Sequence, residues 1–324
     1  MELVREGLCN TGFSDVSLLS LSSGEYPGIA DLMRELAAEF EPRGVSLSLP
    51  SLRVTSELMR FPEIIAGVRG GGMTFAPECA TDALRARINK KVKNEELYAA
   101  VEAAYRAGFR TIKLYFMMGL PGESDDDVRA VAEMAHEVAM LRKHVAGGAA
   151  RVNVSISNFI PKAQTPFQWA PMASLEELER KRAIIVEGVR ASRASRNLNI
   201  RFHDRRMCEI EAVIARGDRR TADAIEAAYR SGEIFSAWDE HFSHERWLGA
   251  LRSAGIDLQD AAHSEWPLER SLPWGHIDAG VSQDFLIKEW RRSLEGEETA
   301  DCRASECSDC GADCRLVRRS FRGS

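Results

Sequence analysis

The chain has 324 residues, 44% of them hydrophobic and 28% charged, with a net charge of −6. That is length and apolar content for one large α/β domain or two smaller ones, and the negative balance argues against bulk electrostatic binding of nucleic acid. The longest apolar runs, such as TIKLYFMMGLP, fall far short of the roughly 20 residues that span a membrane.

The start, MELVREGLCNTGFSD, has no basic segment followed by an apolar one, so no secretion signal is read. A cytoplasmic setting is expected, and there clustered cysteines bind metal more often than they form disulfides. In chain order, DVSLLSLSSG (15–24) reads as a buried strand and IADLMRELAAEFEPRG (29–44) as a helix with a Gly stop. VSLSLPSLRV (45–54) is a second strand, SELMRFPEIIAGVRG a short helix broken by Pro62, and GGMTFAPE (71–78) a third strand. NEELYAAVEAAYRAGF (94–109) is a helix with an Asn cap, and TIKLYFMMGLPGES (111–124) a strand entering a loop. SDDDVRAVAEMAHEVAMLRKHV (124–145) opens on a Ser cap and three acids, which suit a helix N-terminus better than a metal. RVNVSISNFIPKAQTPF (151–167) is a strand with a Pro-rich exit, SLEELERKRAIIVEGVRAS (174–192) a helix, and LNIRFHD (198–204) one more strand.

Strand and helix alternating at this spacing give βαβ units and a parallel sheet. From about residue 205 the pattern turns to helices and Trp-containing loops. The expected organisation is 1–204, 205–294 as a helical C-terminal region, and 295–324 as a cysteine-rich tail after a short Glu-Gly-Glu-Glu-Thr linker. The tail, DCRASECSDCGADC, holds four of the seven cysteines: Cys302, Cys307, Cys310 and Cys314. Four close thiolates suit a closed tetrahedral zinc site or an iron–sulfur cluster, with unmetallated thiols as the third possibility.

Parallel α/β folds bind ligands at the C-terminal ends of their strands. Those ends are LSSGEYPG, APECATDALRARINK, FMMGLPGES and SNFIPKAQTPF. Taken in this order, they resemble the radical S-adenosylmethionine (radical SAM) barrel. The closest likeness is to the methylthiotransferase- and Elongator-like group, in the branch whose full-length members carry a cobalamin-binding-like domain in front. FHDRRMCEIEAVIARGDRR, AWDEHF, LPWGHIDAGV and the cysteine tail extend that resemblance over nearly the whole chain.

The resemblance implies a partial (β/α)6 TIM-like barrel, S-adenosylmethionine and a [4Fe–4S] cluster, with cobalamin a possible addition in the full-length protein. It places the ligand's amino group at Ser22, Ser23, Gly24 and Glu25, whose oxygens suit an ammonium. It places ribose and carboxylate handling at Glu78 with Arg85 or Arg87. Adenine packing falls to Met117, Met118, Gly119, Leu120 and Pro121, and reading of the adenine edge to Phe159, Ile160 and Pro161.

The family's Cys-x3-Cys-x2-Cys loop, which leaves one iron open for S-adenosylmethionine, is not found in this sequence. The first strand here matches the family's second, so the barrel is expected to lack its first strand. The chain then reads as an inactive fragment, with self-association through an open barrel edge. The tail runs x4, x2, x3, and four ligands would leave no open iron, so it is a separate site. The substrate, a small molecule or RNA, is not legible. The alternative reading is a non-catalytic, zinc-clipped α/β binding module.

Blander expectations accompany these. Cys79 and Cys208 are read as small buried hydrophobes, and His203 and His276 as satisfied structural histidines. ARGDRR (215–220) is read as a solvated turn, and Trp238 and Trp274 as packing the C-terminal region onto the barrel.

Overall fold

A computed structural model describes residues 1–18, 26, 28–48, 72–148, 150–302, 305–312 and 314. The N-terminal part contains α1 (Glu2–Thr11), β1 (Asp15–Ser17), α2 (Ile29–Phe40) and β2 (Ser46–Ser48). β1 and β2 pair in parallel, Asp15 opposite Ser46. Met33, Leu36 and Phe40 recur at helical spacing on α2 and pack with Leu47 in a small core of their own. The helix expected over 29–44 tightens into a 3-10 turn at Glu41–Arg43 and ends on Gly44, whose φ of 75° needs no Cβ. Most of the remainder of the two early strand stretches, and the helix expected around Pro62, lie outside the described residues.

The main sheet has four parallel strands in the order β3 (Met73–Glu78), β4 (Thr111–Met118), β5 (Arg151–Asn158) and β6 (Leu198–Phe202). Between them run α3 (Asp82–Arg87), α4 (Asn94–Arg106), α5 (Asp125–Val145) and α6 (Leu175–Ala191). Ile112, Leu114, Phe116 and Met118 alternate along β4 and join Val101, Val131, Val138 and Ile185 of the helices in one core. The other face is polar and in register: Thr74, Lys113, Asn153 and Asn199 form one row, and Tyr115, Ser155 and Arg201 the next. The sheet is therefore buried by helices on one face and carries polar side chains on the other. This is a mixed α/β, partial TIM-like fold.

Ser124 caps α5 as expected, and Asp127 completes the capping box by accepting the Ser124 N–H. Asn94 departs from expectation. It is the first helical residue of α4, and its amide donates to the Ala80 carbonyl while its N–H donates to Asp82.

The C-terminal region comprises α7 (Arg205–Arg216), α8 (Arg220–Arg230), α9 (His244–Ser253), a π-helical turn at Gln259–His263, and α10 (Gln283–Glu295). Cys208, Ile210, Val213, Trp247 and Leu251 join the same core as the strands. A second cluster of Leu84, Leu120, Phe159, Trp169, Trp266, Trp274, Leu286 and Trp290 covers the strand ends. Trp274 packs as expected; Trp238 does not, being 62% exposed.

ARGDRR is not a solvated turn throughout, because Arg216 is 1% exposed and donates to the carbonyls of Ala262 and Ser264. A Cβ on Gly217 would lie 1.9 Å from Thr221 Oγ1 and 2.9 Å from the Val213 carbonyl. Gly217→Ala is therefore expected to cost about 1–3 kcal/mol by overpacking, read as a lower urea midpoint. The expected linker is also anchored: the Thr299 hydroxyl donates to Glu289, and its N–H donates to Asn89 Oδ1 at 3.2 Å.

Candidate functional site

The C-terminal ends of β3, β4 and β5 lie side by side. Glu78 closes β3 with a φ of 65°, next to a register shift between Phe75 and Glu78. A left-handed non-glycine residue costs on the order of 1–2 kcal/mol, and such strain gathers at functional sites. The Glu78 carboxylate accepts from Lys90 Nζ at 3.0 Å.

The two arginines following it are both engaged. Arg85 is buried, donating to Asp82 and to Asn94 Oδ1, with Nε and Nη1 unpartnered. Arg87 donates to the carbonyls of Ser293 at 3.2 Å and Leu294 at 2.7 Å, a cation placed at the C-terminus of α10.

The loop after β4 is held from three sides. Gly119 has a φ of 86°, and a Cβ there would lie 3.0 Å from Leu178 Cδ2. Gly122 has a φ of 76°, and a Cβ there would lie 2.8 Å from Arg87 Nη1. Glu123 turns back to accept the Gly119 N–H at 2.8 Å and Lys181 Nζ of α6 at 2.7 Å. The side chains of Lys181 and Glu123 are only 5% and 4% exposed. Burial raises the Glu123 carboxyl above its ordinary value, and the attraction of Lys181 offsets this only in part.

Leu120 and Phe159 meet in the strand-end cluster, with Met117 packed against it. Met118 belongs to the helix-facing core; what it presents to the strand ends is its carbonyl, which accepts the Phe159 N–H at 2.8 Å. Phe159 meets Phe167 edge-on at 5.4 Å, and Phe167 meets Trp290 at 5.7 Å. Pro161 is buried, while Pro121 and Ile160 are half-buried. Glu78, Gly119, Leu120, Pro121, Phe159 and Pro161 thus come from adjacent strand ends. Ser22, Ser23, Gly24 and Glu25 lie outside the described residues.

Sequence reasoning missed a cavity of about 390 Å³ beside the ends of β5 and β6, lined by Asn158, Arg182, Phe202, His203, Asp204 and Asp239. It also misplaced the histidines. His203 and His276 are exposed, whereas His244 and His263 hold a buried carboxylate. Of the cavity's lining, only the FHD triplet stands out in the sequence, and there it reads as structural; no local pattern marks His244 and His263.

Cys79 and Cys208 are buried, and burial raises both thiols above their ordinary value. Cys302 and Cys307 are exposed, and Cys310 and Cys314 half-buried. The Cys310 carbonyl accepts the Ser282 N–H at 2.8 Å, which ties the tail to the start of α10. Among the described residues, no three His, Cys, Asp or Glu side chains are grouped so as to hold a metal. None of the described helices is long and apolar enough to cross a membrane.

Comparison with known families matches residues 1–135 to the Radical SAM superfamily. That range includes Glu78 and the Gly119–Glu123 loop, and stops before Phe159 and the tail. An uncharacterized protein of Methanocaldococcus jannaschii is 25% identical over 259 residues, which are 79% of this chain and 53% of the relative. The chain thus spans about half the length of that relative.

Proposed function

We propose that this chain supplies the S-adenosylmethionine-binding strand ends of a radical SAM protein. The observation that carries the reading is the strained Glu78, set beside a clamped Gly-Leu-Pro-Gly-Glu loop within the matched range. The neighbouring Leu120 and Phe159 offer an apolar seat for an aromatic ring, and Glu78 offers an acceptor for sugar hydroxyls. The same superfamily match disfavours the zinc-clipped binding module.

The residues present do not fit the radical-generating cluster. Cys79 and Cys208 are buried thiols, Cys9 stands alone in sequence on α1, and Cys-x3-Cys-x2-Cys is not found. No step through that cluster is assigned to these residues. By itself the chain binds S-adenosylmethionine weakly, since the open iron would supply the anchor for its amino and carboxylate groups. Membership of the methylthiotransferase-like branch, and metal at Cys302, Cys307, Cys310 and Cys314, belong to the same proposal and rest on the order and spacing of the motifs.

The test is amide hydrogen exchange with and without S-adenosylmethionine. Residues 117–121 are expected to gain protection, and Glu78→Gly is expected to abolish it. Because glycine accepts the left-handed backbone freely, that variant should hold or raise stability by up to about 1 kcal/mol. Protection unchanged by the ligand, or retained in Glu78→Gly, would remove the strand ends as the site.

A further inference from the structure

Away from the strand ends, one buried carboxylate is shared by two imidazoles. Glu209 sits on α7 with its side chain 4% exposed. Its Oε2 lies 2.6 Å from His244 Nε2 of α9, and its Oε1 lies 2.8 Å from His263 Nε2 of the π-helical turn. The other nitrogen of His263 lies 3.1 Å from the Met172 carbonyl. Both ring nitrogens of His263 therefore face acceptors. A neutral imidazole has one N–H, so beside an ionised Glu209 only the imidazolium satisfies both contacts.

The cluster joins four parts of the chain. α7 and α9 are bridged through Glu209, and the π-helical turn is tied to the segment leading into α6. Backbone bonds run beside it, Met172 N–H to the Ala262 carbonyl at 2.9 Å and Trp266 N–H to the Trp169 carbonyl at 2.9 Å. Trp169 and Trp266 belong to the apolar cover over the strand ends. What fixes His263 thus also fixes one wall of the candidate site.

We infer that the Glu209–His263 contact is a pH-sensitive latch that fastens the C-terminal helices, and with them the Trp169–Met172 segment, over the strand ends.

The groups facing the latch are Glu209 from α7, His244 from α9 and, at longer range, Glu176 from the first turn of α6. On the segment of His263 itself, Asp260 is paired with Arg270 at 2.8 Å. The hydrogen bond to Glu209 raises His263 above its ordinary 6.5, against the opposing effect of burial. Burial pushes Glu209 up, but its bonds to His263 and His244 outweigh that, and its carboxyl falls below 4.5. A raised histidine contributes stability that is complete below 6.5 and is lost as pH rises through the folded value. A lowered carboxyl contributes stability present above 4.5 and lost in acid. The latch is therefore firm between those values and loosens on the alkaline side.

The test uses the full chain. Histidine ring resonances are followed by NMR across roughly pH 5 to 8, where unperturbed imidazole titrates. His263 is expected to titrate above 6.5. Exchange of the Met172 and Trp266 amides, corrected for the intrinsic pH effect, is expected to quicken through the same transition. His263→Gln keeps a donor but cannot titrate, and should flatten that dependence. A His263 titrating at or below 6.5 overturns the latch, as does a His263→Gln variant with the wild-type pH dependence. If His263→Gln does not fold, the wild-type titration and exchange still decide.

Discussion

Replacing Lys181 by Met is expected to cost about 3–5 kcal/mol at neutral pH, the penalty for leaving one member of a buried ion pair uncompensated. Lys181 and Glu123 are almost wholly shielded from water, and their contact is 2.7 Å. Without the ammonium, the carboxylate keeps the Gly119 N–H but loses its countercharge. The sign with pH is specific. Burial raises the Glu123 carboxyl above its ordinary value against the pull of Lys181, so losing the ammonium raises it further. The penalty in Lys181→Met should be smallest below 4.5 and grow as pH rises through the further-raised value. Adding Glu123→Gln should recover most of the loss, since removing both charges avoids the buried ion. Urea titrations of the two variants at acid and neutral pH provide the check. A cost near zero at neutral pH would mean that the buried pair does not hold the loop.

Arg216→Ala is expected to cost about 2–4 kcal/mol, through lost stacking and two orphaned carbonyl groups. The guanidinium lies 3.8 Å from the centre of the Trp266 ring. It donates to the Ala262 carbonyl at 3.2 Å and the Ser264 carbonyl at 3.0 Å. Burial, helped by the nearby Arg270, pushes its pKa down to about 10, so it remains charged at neutral pH. Arg216→Lys should recover only part of the loss, because an ammonium lacks the planar face that covers the indole. Thermal unfolding of the two variants measures both effects, and a Lys variant equal to wild type would show that the stack contributes nothing.

The sequence made the central sheet plain and its surroundings less so. β3 to β6 were legible because Met73, Phe75, Ile112, Leu114, Val152 and Val154 alternate at the strand period, with helix caps such as Ser124 and Ser174 between them. The Gly119 turn was legible because a tight turn needs a residue free to take positive φ. Long-range partners were not. Glu209, His244 and His263 are 35 and 54 positions apart along the chain, and no periodicity marks a pair that distant. Arg85 and Arg87 looked like ligand cations because they follow a strand end. Their actual partners, Asn94 and the end of α10, come from elements whose placement is set by packing. Trp238 misled for the converse reason, since aromatic character alone does not decide burial.

The bonds from Arg87 to Ser293 and from Thr299 to Asn89 join positions 206 and 210 residues apart. At a synthesis rate of about 5–20 residues per second, roughly 10–40 s separate the emergence of α3 from that of α10. Throughout that interval Leu84, and later Leu120 and Phe159, wait on the ribosome without Leu286 and Trp290 to shield them. Completion of the strand-end seat is thus a late event of biogenesis. The nascent chain carries an uncovered apolar patch, open to chaperones and neighbouring chains, until α10 emerges.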